Sequence, residues 1–162
     1  MIREIKVYPA KILTKKTKKV GDFGVETKKL IDDMVETLYA SRGVGLAANQ
    51  IGVGKQIAVI DAGNGIKTLI NPRIVKKRGV EIMAEGCLSF PGMEFDIKRP
   101  QKITVEYLDK NGKKQKVKAE QLEARAMCHE IDHLQGKTLL DRLGLVTRLK
   151  LKRKLRKQAR KK

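Results

Sequence analysis

Tryptophan is absent, and three Tyr with three Phe bring aromatic residues to only 4% of the 162 positions. That scarcity excludes base stacking as a main mode of nucleic-acid recognition, which needs a platform of ring faces. Cysteine occurs only twice, as Cys87 and Cys128, too few for a disulfide-framed secreted scaffold. No stretch reaches the ~18 consecutive apolar residues of a membrane span, and Met1 to Ala10 lacks the apolar centre of a secretory leader. The expectation is a cytoplasmic protein with no membrane association, whose thiols are packing groups, metal ligands or nucleophiles. Acids are scarce as well: 18 Asp and Glu against 37 Lys and Arg leave a net charge of +19, which favours contact with a polyanion such as RNA or with an anionic membrane surface. With 41% apolar residues, the length suits one core and one domain over 1–162.

Histidine is the most informative scarcity. The chain has two, and both fall in Cys128-His129-Glu130-Ile131-Asp132-His133. On a helix, positions i and i+4 lie one turn apart on the same face, so His129 and His133 can aim at one shared point. Glu130 sits about 100° round from His129 and about 60° from His133. Two imidazoles and a carboxylate within reach of a bound water form the H-E-x-x-H arrangement of hydrolytic metal sites. A catalytic cation of this kind takes three protein ligands. Cys128 is directed away from the shared point, which leaves Cys87, in Glu85-Gly86-Cys87-Leu88-Ser89, as the third candidate; alone it would more often be a small buried hydrophobe.

Apolar residues at Leu30, Ile31, Met34, Val35 and Leu38 predict a helix over Val25 to Ser41, with Gly43 as its stop. Residues 1–22 read as irregular. β-branched runs bounded by Gly, Asn and Pro predict strands at Gln56–Asp61, Lys67–Ile70, Arg73–Ile82 and Lys102–Leu108. Asp109-Lys110-Asn111-Gly112 signals a hairpin returning through Gln115 to Lys118, and Pro91 to Lys98 reads as a loop. A second helix is expected over Glu120 to Gln135, its site half buried, with Leu122 and Ala126 on the histidine face. The fold class is α+β: antiparallel or mixed sheets packed around a central metal-binding helix, with an N-terminal helix and a basic C-terminal helix. In Leu145 to Lys162 there are ten Lys or Arg and no acid, so this segment alone carries +10 of the +19. Leu145, Leu149 and Leu155 are the residues expected to hold it to the body.

The glycine-flanked stretch Gly43-Val44-Gly45-Leu46-Ala47-Ala48-Asn49-Gln50 lets a backbone approach closely; alone it reads first as a helix-to-strand turn packed under the core, though the Gln50 amide suits donation to an oxyanion. Taken in order, GVGLAANQ at 43–50, EGCLS at 85–89 and HEIDH at 129–133 resemble the three signature motifs of the peptide deformylases. The resemblance runs over nearly the whole chain. It implies a small metallohydrolase that removes the formyl group from the N-terminal formyl-methionine of nascent polypeptides. Cys87, His129 and His133 would bind the metal and Glu130 would be general base and acid. Gln50 and the Leu88 N–H would hold the oxyanion, Gly45 and Gly86 the peptide main chain, and Val44, Leu122 and Ala126 the methionine side chain. The metal implied is Fe(2+), with Zn(2+), Ni(2+) or Co(2+) as substitutes. The protein is expected to be a monomer, and the basic segment to dock on ribosomal RNA. Where some relatives carry an acid, this chain has Arg42, so the carboxylate behind a metal histidine is assigned to Glu85, paired with Arg99. Cys128 is read as packing. A peptidase with a different third ligand and an RNA-binding protein with a structural metal are the competing readings.

Overall fold

The computed structural model describes residues 1–160; Lys161 and Lys162, which belong to the basic segment, lie outside the described residues. The first long element is helix α1 (Val25–Ala40). Asp22 Oδ1 accepts from the Gly24 N–H before its first turn, and Leu30, Ile31, Met34 and Leu38 form its buried stripe. The left-handed residue that closes it is Arg42 (φ 54°), not Gly43. Gly43 is tightly packed instead: a Cβ there would sit 3.0 Å from both Leu38 Cδ1 and Leu88 Cδ1. This close stop delivers the chain directly into strand β1 (Gly45–Ala47) and a short 3-10 turn, Ala48–Ile51.

Strands β2 (Ile57–Ile60) and β3 (Lys67–Arg78) follow. β3 is continuous through Asn71-Pro72, where the sequence pattern predicts a break. There the Asn71 N–H donates to the Gln56 carbonyl at 2.9 Å, and its side chain bonds both the N–H and the C=O of Val20. The same pattern overruns Gly79, whose positive φ of 69° ends the strand and turns the chain into β4 (Glu81–Gly86). The segment expected as a loop contains β5 (Glu94–Arg99), paired antiparallel with β4. Its Phe95, Ile97 and Arg99 alternate inward, a period-2 signal that charged neighbours obscure. The hairpin of β6 (Lys102–Leu108) and β7 (Lys114–Glu120) forms as expected. Two antiparallel sheets result, one of order β1-β2-β3-β6-β7 and the β4-β5 pair.

Helix α2 (Gln121–Leu134) lies against the inner face of the larger sheet. Ala124, Met127, Cys128 and Ile131 pack there with Ile103, Val105 and Ala119. Cys128 is thus a packing group, and burial raises its thiol pKa. Helix α3 (Leu145–Ala159) carries the basic segment. Leu145 and Leu149 are exposed, contrary to expectation; Leu151 and Leu155 dock the helix beside Leu13, Phe90 and Leu140. Among the described residues no helix is long and apolar enough to cross a membrane.

Candidate active site

Helix α2 brings the two histidines together as the spacing requires, with their Nε2 atoms 3.1 Å apart. The tight turn after β4 supplies Cys87, whose Sγ lies 3.2 Å from His133 Nε2. All three potential donors fall within 4.8 Å of one another. Bonds of ~2.0 to 2.3 Å to one cation put neighbouring N and S ligands roughly 3.3 to 3.6 Å apart, so the grouping fits a cation with small adjustment. The donor chemistry agrees: two imidazoles and a soft thiolate suit a divalent transition metal and leave an open position.

Both rings are deeply buried, His129 at 7% and His133 at 1% exposure, where a half-buried site was expected. Burial disfavours charge on each. At His133 it pushes the pKa well below the ordinary value, with the His129 charge adding to the effect. At His129 the acceptors Cys87 and Glu85 outweigh burial and raise it.

Glu85 is the pivot behind the first ring. Its Oε1 lies 2.6 Å from His129 Nδ1 and accepts from Arg99 Nη2 at 2.7 Å. Its Oε2 accepts from Arg99 Nε at 3.2 Å and Arg125 Nη1 at 2.9 Å. Four donors saturate a carboxylate's roughly four acceptor sites. Burial alone would raise the pKa of Glu85, but His129 and Arg99 hold it at about 2. With Nδ1 so engaged, the His129 Nε2 lone pair faces the cluster. The Glu85–Arg99 pairing matches the sequence reading. Arg125 and Asp132, which accepts from both Arg99 and Arg142, are functional partners that the reading missed. No local spacing signals them, since each contact joins residues of different elements or turns.

Glu130 is buried at 3% exposure, with Oε2 making no hydrogen bond. Burial pushes its carboxyl up to about 7. It stands over β1, where a Cβ on Gly45 would lie 2.5 Å from Glu130 Oε1, so only glycine fits there. Gln50 is fixed at both ends. Its Oε1 accepts from the Ala47 N–H at 2.9 Å, which directs Nε2 toward Ser89 Oγ (3.2 Å) and Cys87 Sγ (3.6 Å). Next to it the Leu88 N–H makes no hydrogen bond among the described residues. Asn49 anchors the far ligand by donating to the His133 carbonyl at 2.6 Å.

These groups form the floor of a cavity of about 850 Å³. Val44, Gly45, Gly86, Leu122 and Ala126 line it together with Gln50, Cys87, Leu88, His129 and Glu130. Leu122, half exposed, stands at the mouth, and His133 lies behind the wall.

A sequence profile of the polypeptide deformylase family matches residues 2–149. The chain belongs to the polypeptide deformylase family. It is 47% identical to the peptide deformylase of Thermoanaerobacter pseudethanolicus over 141 residues, 87% of this chain and 89% of that one. The deformylase of Thermodesulfovibrio yellowstonii is 41% identical over 160 residues, covering 96% and 97%. In three dimensions the chain resembles the crystal structure of a peptide deformylase from Legionella pneumophila, with a TM-score of 0.90 at 41% identity, covering 99% of this chain and 96% of that one. The family profile ends at residue 149, inside α3, whereas the match to the Legionella structure covers 99% of this chain.

Proposed function

We propose that the chain is a metal-dependent hydrolase that removes the N-terminal formyl group from the formyl-methionine of nascent polypeptides. The observation that carries this is the convergence of Cys87, His129, His133, Glu130 and Gln50 at one cavity within a deformylase-family fold. Cys87, His129 and His133 would hold the cation. When bound it would supply Lewis acidity and acidify a water, to about 7 in the case of zinc. Glu130 takes the proton of the attacking water on its carboxylate and returns it to the departing amine. Gln50 Nε2 and the Leu88 N–H donate to the oxyanion that develops on the formyl oxygen. Because the Ala47 N–H already fixes the amide of Gln50, its donor needs no reorientation during the reaction.

The peptide main chain lies along Gly45 and Gly86, and the methionine side chain occupies the apolar part of the cavity beside Val44, Leu122 and Ala126. The cation is iron(II), with zinc, nickel or cobalt as substitutes. The protein acts as a monomer in the cytoplasm, as one domain over 1–162, and α3 with Lys161 and Lys162 docks on ribosomal RNA. The direct test is formate release from formyl-Met-Ala-Ser by protein reconstituted with iron(II) without oxygen. Release from the formyl peptide and none of acetate from its acetyl counterpart is expected; cleavage of an unformylated peptide instead would identify a peptidase.

Docking through α3 is tested by substitution, since Leu151 and Leu155 pack on the body and a truncation would expose their partners. Arg153, Lys154 and Lys157 are exposed. Replacing all three with Gln is expected to weaken ribosome binding and to lower the slope of log K against log salt by about 2, because each neutralised phosphate contributes ~0.7. An unchanged slope would make α3 a solubilising element only.

A further inference from the structure

The metal site accounts for α2, β1 and the β4-β5 hairpin, but not for the sheet face turned away from them. On β6 and β7 the inward positions Ile103, Val105, Val117 and Ala119 pack under α2, so the alternate positions point outward. Cross-strand register gathers these into four rows across β3, β6 and β7. Ile70, Leu108 and Lys114 form the one that runs into the core beneath α1, and three lie open: Arg73, Glu106 and Lys116; Lys76, Thr104 and Lys118; Arg78, Lys102 and Glu120. Six cations therefore share the open rows with two acids, and both acids are engaged. Glu106 pairs with Arg73 at 2.9 Å and Lys116 at 3.3 Å, and Glu120 with Lys102 at 2.8 Å. Lys76, Arg78 and Lys118 have no acidic partner among the described residues.

Two features show that the fold sets these cations outward against its own preference. Between Ile74 and Lys76 a β-bulge places two residues of β3 against one of β6. Without it Lys76 and Arg78 would fall on the inner side; the bulge re-aims both to the outer face. Arg78 also stands directly opposite Lys102, an arrangement of like charges that weakens a sheet. A cavity of about 280 Å³ opens on this same face, lined by Lys76, Arg78, Lys102 and Lys118 with Thr104 and Glu120. None of these residues lines the cavity of the metal site.

We propose that the outer face of the β3-β6-β7 sheet is an RNA-binding surface, separate from α3, that engages the phosphate backbone without reading bases. Charge complementarity selects the partner. The three open rows carry no apolar side chain to enter a bilayer, which separates the face from a membrane-binding one. They carry no aromatic ring either, so contact is with phosphates and not with stacked bases. The choice of RNA over DNA rests on the proposed work on nascent chains, which emerge from an RNA-based machine.

The test uses the full-length, metal-loaded protein and a labelled oligouridylate, with binding followed by fluorescence anisotropy over a series of KCl concentrations. The variant Lys76→Gln/Arg78→Gln/Lys118→Gln is compared with Lys28→Gln/Lys29→Gln/Lys110→Gln, which removes the same charge from exposed positions on α1 and the β6-β7 turn. The sheet variant is expected to bind at least tenfold more weakly at low salt and to lower the log–log salt slope by about 2, again at ~0.7 for each phosphate neutralised. The α1 and turn variant is expected to stay within about twofold of the parent. Equal losses in the two variants would reduce the effect to net charge and overturn the proposal. So would phosphatidylserine vesicles that bind the parent and are lost by the sheet variant while RNA binding persists. Thermal unfolding checks the fold; relief of the Arg78–Lys102 opposition predicts a midpoint no lower than the parent's. Formate release is measured on the same samples. If the parent releases none, the catalytic reading fails while the RNA result stands by itself.

Discussion

Glu130→Gln is expected to lower formate release by ~10² to 10⁴ while leaving metal content unchanged, because it removes the proton carrier and keeps the side chain's shape. Shape matters at this position. The carboxylate stands against Gly45 with no room for a Cβ between them, so a shorter or branched replacement would change the packing as well as the chemistry. A second readout separates a proton carrier from a merely structural acid. Burial raises the folded-state pKa of Glu130 from 4.5 to about 7, so in metal-free protein the folded state binds this proton more tightly than the unfolded chain. Stability from this group is therefore fully present below about 4.5 and is lost as pH rises toward 7, by an amount on the order of 3 kcal/mol. The metal-free Gln variant has no such proton to lose. Its stability relative to the parent should rise through that window and then level off, as read by urea unfolding at a series of pH values. Retention of formate release within tenfold, at equal metal content, would remove Glu130 from the proton path.

How far this site could be read from the sequence depended on how local each part of it is. His129, Glu130 and His133 were legible because helical geometry alone puts them on adjoining positions of one turn, and α2 forms where the pattern predicts. Cys87 and Gln50 lie on a turn and a 3-10 segment, where no periodicity fixes direction; only their order with the helix motif marked them. Of the half-buried site expected from the apolar face of Leu122 and Ala126, Cys87 is partly buried, whereas both rings are buried because β1 and the β4-β5 hairpin pack against α2, contacts between distant parts of the chain. Helix α3 shows the opposite failure. Basic residues all round its wheel hide which leucines face inward: packing on Phe90 and Leu140 uses Leu155, as expected, with Leu151 in place of Leu145 and Leu149. Gly43 and Arg42 teach a related lesson: the helix stop was placed correctly within a residue, but the glycine answers to Leu88 and the left-handed turn to Arg42.

Glu85→Gln is expected to be the most destabilising single change in the site. The carboxylate holds two buried guanidiniums and one imidazole at once, and the amide that replaces it carries no charge and turns two donors toward them. Removing one partner of a buried ion pair costs about 3–5 kcal/mol, because the remaining charges are left without compensation. For a chain of this length that corresponds to roughly 6 to 20 °C in the unfolding midpoint. The same substitution loosens His129, whose Nδ1 contact orients the ring, so metal affinity should fall by ~10- to 100-fold in competition with a chelator. Arg125 decides whether this is one network or two adjacent pairs. Arg125→Met alone leaves Glu85 with Arg99 and His129, and should cost less than Glu85→Gln. In the double variant one of the stranded cations is gone, so its loss of stability should be smaller than the sum of the single losses by ~0.5 to 3 kcal/mol. Additive losses, or a Glu85→Gln protein whose midpoint and chelator competition match the parent's, would show that Arg125 and Glu85 do not act on His129 as a unit.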